Sequence, residues 1–252
     1  MSGGRSFGVD APRYDRARPG YPGALVDELV GARPLRVVDV GCGTGIASRL
    51  FQARGCEVTG VEPDERMAAF ARDHGIDVET TTFERWPTPQ RRFDLLVCAQ
   101  AWHWVDPVEG PRKAANALVP GGRIGLIWNF AEQPAELNAA LRASYRELAP
   151  ELMDELKQPE YPVPVLSEAA WGLDHTGLFT PSVTLSWDWT RDYTTAEWLD
   201  LVQTISGYRK LPSDRLDGLL SAVARDIDAL GGAFPLRFRT CLVTATRTSR
   251  ML

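Results

Sequence analysis

The 252-residue chain lacks the features that usually announce a metal, a membrane or a nucleic acid. Its four cysteines, Cys42, Cys56, Cys98 and Cys241, stand far apart with no C-x-x-C pair, so no zinc-binding or dithiol pattern is present and no metal is expected. They read as small buried apolar groups, and even Cys42, which falls in a glycine turn, reads as a packing residue. No apolar run reaches membrane-spanning length, which argues against a membrane partner. No run of Lys and Arg forms a phosphate-binding stripe, and the net charge is −5, so no nucleic-acid partner is expected either. Met1 to Ser6 contain no apolar signal core, and the expected location is the cytoplasm. There is no internal repeat and no low-complexity segment. What remains is an ordinary globular composition, 44% hydrophobic and 24% charged, long enough for one large α/β domain.

The informative stretch is 37–46, VVDVGCGTGI. Val37, Val38 and Val40 suit a strand covered on both faces. Gly41, Gly43 and Gly45 leave bare backbone that a ligand can approach closely, and the helix that follows presents free N–H groups. A dinucleotide fingerprint needs G-x-G-x-x-G, but Ile46 stands where the third glycine belongs. Asp39, two residues before Gly41, would repel a pyrophosphate and suits a cationic ligand. The following helix carries an Ile46, Leu50, Phe51 stripe and runs to about Arg54, with Gly55 at its C-terminal turn. A second strand, Glu57 to Val61, ends at Glu62, an acid about twenty residues past the first glycine, where it can bind both ribose hydroxyls. That feature serves NAD enzymes as well. The structural alternative is electrostatics at a helix starting at Pro63.

The phrase from Val37 to Gly45 closely resembles the first motif of class I S-adenosylmethionine-dependent methyltransferases. In that family the loop wraps the amino-acid part of the cofactor, which implies cofactor-binding roles for Asp39, Gly41, Cys42, Gly43, Thr44, Gly45, Glu62 and Pro63. Thr82 to Pro87 resembles the segment that brackets the adenine, implying contacts from Thr82, Phe83 and Glu84 and a stacked ring from Phe83 or Trp86; an ordinary amphipathic loop is the alternative. Tyr14 to Pro22 resembles an arm found in a small-molecule subgroup, the trans-aconitate and natural-product-like, type 11 methyltransferases. It implies a lid with Tyr14 and Arg18 at the cofactor and Tyr21 at the substrate, against the alternative of a packed surface arm. After a fourth strand, Phe93 to Cys98, comes the loop Ala99 to Asp106. Ligands in open parallel sheets lie beyond the carboxyl ends of the strands, so this loop should face the reacting methyl group. Gln100, Ala101 and Trp102 are read as cofactor contacts, Trp104 and Trp128 as substrate contacts, and His103 as a general base or a positioning group. Core packing and a structural hydrogen bond are the bland alternatives there.

Elsewhere the pattern predicts helices over Gly23–Val30, Asp64–Gly75 and Pro111–Leu118, strands over Asp77–Thr81 and Arg123–Trp128, and a turn at 119–122. Leu137, Leu141, Tyr145, Leu148 and Leu152 follow helical spacing that Pro150 should interrupt. Tyr161 to Leu166 reads as loop, Val183 to Trp189 as strand, and Thr194 with Glu197 as a capping box for a helix ending at Gly207. A last helix spans Leu216 to Leu230 and a last strand Arg237 to Arg247. The resemblance implies a Rossmann-like α/β sheet of seven strands, six parallel and the last antiparallel, inserted between strands five and six, with helices on both faces. One domain is expected: an arm and helix over 1–34 whose first dozen residues look flexible, a cofactor-binding core over 35–129, helical caps over about 130–180 and 190–235, and the last strand over 236–248. The implied reaction moves a methyl group from S-adenosyl-L-methionine to an O, N or C atom of a small-molecule acceptor, releasing S-adenosyl-L-homocysteine, in a monomer or homodimer. An NAD-dependent oxidoreductase, disfavoured by Ile46 and Asp39, and a non-catalytic S-adenosylmethionine-binding protein are the rival readings.

Overall fold

The computed structural model describes residues 8–87, 92–159 and 163–249; Met1 to Ser6, Tyr161 and Pro162 lie outside them. Seven strands form one sheet: β1 (Arg36–Val40), β2 (Glu57–Val61), β3 (Asp77–Glu79), β4 (Phe93–Ala99), β5 (Leu118–Glu132), β6 (Val183–Thr194) and β7 (Ala233–Thr246). Their order is β3-β2-β1-β4-β5-β7-β6. β1 pairs in parallel with β2 and β4, matching Val37 with Val58 and with Leu95. β7 runs antiparallel to both neighbours, with Cys241 opposite Trp128 and Ser186. The expected topology is therefore present, and the switch between β1 and β4 places a crevice at their carboxyl ends.

Nine helices cover the sheet among the described residues: α1 (Ala11–Ala17), α2 (Gly23–Val30), α3 (Ile46–Gln52), α4 (Glu65–Asp73), α5 (Glu109–Ala117), α6 (Ala135–Leu148), α7 (Pro164–Asp174), α8 (Thr195–Val202) and α9 (Ser213–Ala229). Strand alternation divides the core. Val38, Leu96, Leu126 and Trp128 pack on one face with Trp86, Trp102 and Leu173. Val37, Leu95, Val97 and Ile127 pack on the other with Leu25, Leu29 and Phe51. A third cluster lies where β6 and β7 run on past the other strands, and it joins Tyr193, Phe234 and Phe238 to Leu141, Tyr145, Trp198 and Leu219 of α6, α8 and α9. No helix among the described residues is long and apolar enough to cross a membrane.

Several boundaries differ from expectation, each for a local reason. Residues 11 and 12, expected to be flexible, open α1: Asp10 caps it by accepting from the Arg13 amide at 3.0 Å, and Pro12 sits in its first turn. Only Ala11 and Ala17 of this helix are buried, too short a stripe to read. The expected loop into Leu166 becomes helix at Pro164, a proline acting as a helix starter. Likewise α4 starts at Glu65 with Asp64 as its cap, not at Pro63, and α5 starts two residues before Pro111. The expected turn at 119–122 is a bulge inside β5: Gly121, at φ +79°, donates to the Arg247 carbonyl at 3.0 Å while the register opposite β4 shifts. β6 runs on to Thr194, the N-cap of α8, where the Thr194–Glu197 capping box is complete.

One glycine of β2 sets the space for the turn beside it. A Cβ on Gly60 would stand 2.6 Å from the Cys42 Sγ and 3.2 Å from a Val78 methyl. Gly60→Ala is expected to destabilise the fold by about 1–3 kcal/mol through overpacking. In urea unfolding, Cys42→Ala added to it should cost less than the sum of the two single changes; strict additivity would show that the sulfur is not the obstacle.

Candidate functional site

The site starts where β1 ends. The amides of Gly41 and Cys42 both donate to the Val61 carbonyl, at 2.8 and 3.3 Å, so the tips of β1 and β2 are tied while the chain between them reverses. Gly41, Gly43 and Gly45 have φ of +68°, +58° and +86°, a region L side chains rarely adopt. At Gly41 the constraint is double, because an added Cβ would stand 2.5 Å from the Cβ of Ala101. The result is a cleft of about 650 Å³, a normal size for a small-ligand site. A side chamber of about 60 Å³ opens beneath the residues around Tyr14 and Arg18.

Two buried acids face this space. Asp39 is fully buried and accepts from Ser48 Oγ at 2.6 Å, while its Oδ1 has no partner. Burial pushes its carboxyl up to about 7, against the Ser48 hydrogen bond and with help from the Glu62 charge. Glu62 accepts from the Asp64 amide at 2.8 Å and the Gly43 amide at 2.9 Å, and burial pushes it to about 7 as well. No cation contributes to either shift. Isolated anions in such surroundings are costly until a cation or a hydroxyl reaches them.

The arm supplies the opposite charge. Its helix α1 is fastened to α8 by Arg16 on Asp200 at 2.8 Å and Arg13 on Gln203 at 3.0 Å, and to α3 by Arg49 on Asp15 at 2.7 Å. Arg18 stacks over the Tyr14 ring at 4.9 Å and donates to the Thr204 carbonyl at 2.8 Å, but its Nε has no partner. Tyr14, Arg18, Tyr21, Cys42 and Thr44 line the side chamber together with Asp39. Asn129 lines it too: its Nδ2 donates to the Gly20 carbonyl at 2.9 Å, and its Oδ1 accepts from Thr240 Oγ1, which accepts in turn from Trp189 Nε1 at 2.8 Å. Gln100 has φ +61°, a strained value for a side-chain-bearing residue, and donates through Nε2 to the Asn129 carbonyl at 3.2 Å.

Glu62, Pro63, Thr82, Phe83, Glu84, Gln100, Ala101, His103 and Trp104 line the main cleft. His103 and Trp104 lie with ring centroids 4.8 Å apart, and burial lowers the imidazole below its usual value, which keeps it neutral near pH 7. Four residues stand elsewhere. Trp102 points inward from the turn Trp102–Trp104 and packs 6.1 Å from Phe83, and Trp86 packs beside Phe83 in the same core, so of the two aromatic candidates only Phe83 reaches the cleft. Trp128 takes the inward face of β5 by strand alternation and is 3% exposed, away from the substrate position expected for it. Gly45 faces Ile76 and Ala71 as the N-cap of α3. Ser48, Asn129, Ile205 and Ser206 were not singled out. The polar residue just past the expected end of the fifth strand was a usable signal for Asn129; nothing local marked Ile205 or Ser206.

Asp39 titrates near 7 in the fold against an ordinary carboxylate value of 3.8. The folded state therefore holds this proton longer, and the stability tied to it is lost as pH rises from about 4 to about 7. Asp39→Asn keeps an acceptor for Ser48, and its urea midpoint should fall less across that window than that of the wild type. Parallel profiles would mean that Asp39 ionises without cost.

Comparison with known proteins agrees with this geometry. A family profile described as a methyltransferase domain matches residues 38–126. An uncharacterized methyltransferase of Mycobacterium tuberculosis is 38% identical over 130 residues, covering 51% of this chain and 54% of that protein, so the match spans about half the length of such relatives. A ubiquinone biosynthesis O-methyltransferase of Marinobacter nauticus is 32% identical over 164 residues, covering 61% of this chain and 67% of that protein. Among solved structures, one from Anaeromyxobacter dehalogenans assigned as a type II methyltransferase superposes with a TM-score of 0.64 at 21% identity, covering 92% of this chain and 99% of that one. The cyclase SpnF superposes at 0.53 with 16% identity, covering 97% and 95%. At these identities the structural likeness shows the fold alone, whereas the family profile match over 38–126 spans the glycine turn and the strands around it. The chain belongs to the class I S-adenosylmethionine-dependent methyltransferases.

Proposed function

We propose that this chain transfers a methyl group from S-adenosyl-L-methionine to an O, N or C atom of a small-molecule acceptor. The observation that carries the reading is the side chamber, which presents one buried carboxylate with a free oxygen, Asp39, and one cation with a free N–H, Arg18. That pair complements the ammonium and carboxylate of an amino acid. Glu62 stands in the adjoining cleft, where it can accept from ribose hydroxyls, and Thr82, Phe83 and Glu84 offer backbone groups and an apolar ring for a base. When bound, the cofactor supplies a methyl group already activated on a sulfonium. The protein's part is then to orient the acceptor and keep water out. His103, neutral near pH 7 and on the cleft wall, is placed to take a proton from an acceptor hydroxyl or amine. The helical segments over about 130–180 and 190–235 choose the acceptor in this reading; Ile205 and Ser206 on the cleft wall support it for the second segment. A second reading is a protein that binds the cofactor without transferring its methyl group, since one fold can host more than one activity.

Calorimetry separates these ideas from an NAD-dependent enzyme. S-adenosyl-L-homocysteine should bind and NAD should not, and Asp39→Ala and Glu62→Ala should each weaken binding by about 1–3 kcal/mol, the scale of a lost charge-involving hydrogen bond. Unchanged affinity in both variants, or tight NAD binding alone, would sink the proposal. In a metabolite screen with labelled donor, wild-type protein should label at least one acceptor; none would favour the non-catalytic reading. With that acceptor, His103→Ala should lower turnover far more than cofactor affinity. Equal effects on both would assign the residue to positioning.

A further inference from the structure

Three large apolar side chains lie exposed at one corner of the molecule. Trp104 is 50% exposed, Val108 48% and Trp171 50%. They come from three elements: the turn Trp102–Trp104, the N-cap of α5, and α7. α7 packs against that turn, and a Cβ on Gly172 would stand 3.1 Å from the Pro107 carbonyl, so the residue next to Trp171 lies against the 104–108 segment, while the Trp171 ring packs on that of His175 with centroids 4.3 Å apart. Trp104 belongs to both surfaces, because it also lines the cleft beside His103. The apolar corner is therefore continuous with the mouth of the cleft, whereas single exposed apolar residues need no explanation.

The charges around the corner narrow what it meets. Asp106 accepts from the amides of Val108 and Glu109 at 2.9 and 2.8 Å, and Glu109 pairs with Arg112 at 3.6 Å. Lys113, the next cation along, turns inward and donates to the carbonyls of Trp86 and Glu84. Among the described residues the further basic groups near the corner are His175, whose ring packs on Trp171, and Arg85 on the cleft wall, too few to form a collar that would draw an anionic bilayer or an acidic carrier protein. Resting on the methyl-transfer reading above, we propose that the acceptor carries an uncharged apolar tail that leaves the cleft over Trp104 and lies across Val108 and Trp171, with its reactive head at His103. Affinity for the acceptor then grows with tail length, and Trp171 sets how long a tail is useful.

The test uses the full chain saturated with S-adenosyl-L-homocysteine and a series of alkyl maltosides, hexyl to decyl, each below its micelle concentration. Binding should strengthen about fourfold per added methylene. Trp171→Ser, and independently Val108→Ser, should weaken decyl maltoside binding about tenfold and leave S-adenosyl-L-homocysteine binding unchanged. A flat chain-length series, or wild-type affinity in both variants, overturns the proposal. Cosedimentation with phosphatidylcholine vesicles should be absent; if it occurs and depends on Trp171, the corner is a bilayer foot and the proposal is wrong. Loss of S-adenosyl-L-homocysteine binding by the wild-type chain would instead overturn the cofactor reading beneath it.

Discussion

The site depends on a shared carbonyl. Val61 accepts from two successive amides of the glycine turn, and this holds the ends of two parallel strands together while the chain between them changes direction. Without side chains at 41 and 43, the turn can adopt left-handed backbone and lie against Ala101. From that tie follow the position of Asp39, two residues before Gly41, of Glu62, one residue past Val61 and the end of β2, and of the floor between them.

The acids so placed are destabilising by themselves. Asp39 and Glu62 are each desolvated, the Glu62 charge raises Asp39 further and Asp64 raises Glu62, and among the described residues no cation offsets either shift. A protein selected for stability alone would place amides or apolar groups there. The arm repeats the pattern with opposite sign, since Arg13 and Arg16 are paired on Asp200 and Arg18 keeps an unpartnered Nε. Unsatisfied groups of both signs thus converge on one chamber, the condition under which a zwitterion restores what folding leaves unmet.

Much of this was legible in the residue order, because the deciding features are local. The glycine spacing, Asp39 before it, Glu62 at the end of β2 and the Thr194–Glu197 box each occupy a short window, and the structure has them where those windows put them. Features set by distant partners were not legible. Trp102 and Trp128 are aromatics near the site, one in the turn after β4 and one within β5, and only the neighbours on each face decide that both turn inward. Asn129 works through Gly20 and Thr240, 109 and 111 positions away. Pro12 falls in a stretch that reads as flexible and Pro164 in one that reads as loop, yet both sit at helix starts, where a missing N–H costs nothing. Helix α1 has too few buried residues to show a stripe and is held by α8 nearly two hundred positions later.

That last separation bears on the order in which the protein is made. The residues around Arg18 line the chamber, and their anchors, Asp200, Gln203 and the Thr204 carbonyl, are synthesised 184 to 190 positions after them. β7, which completes the sheet by entering between two older strands, comes later still. On the ribosome the glycine turn and its neighbouring strands can assemble from local contacts, while the arm waits for the segment that carries its anchors. Until that later segment has been made the arm lacks its anchors, so the acid-lined groove can close only once α8 is in place.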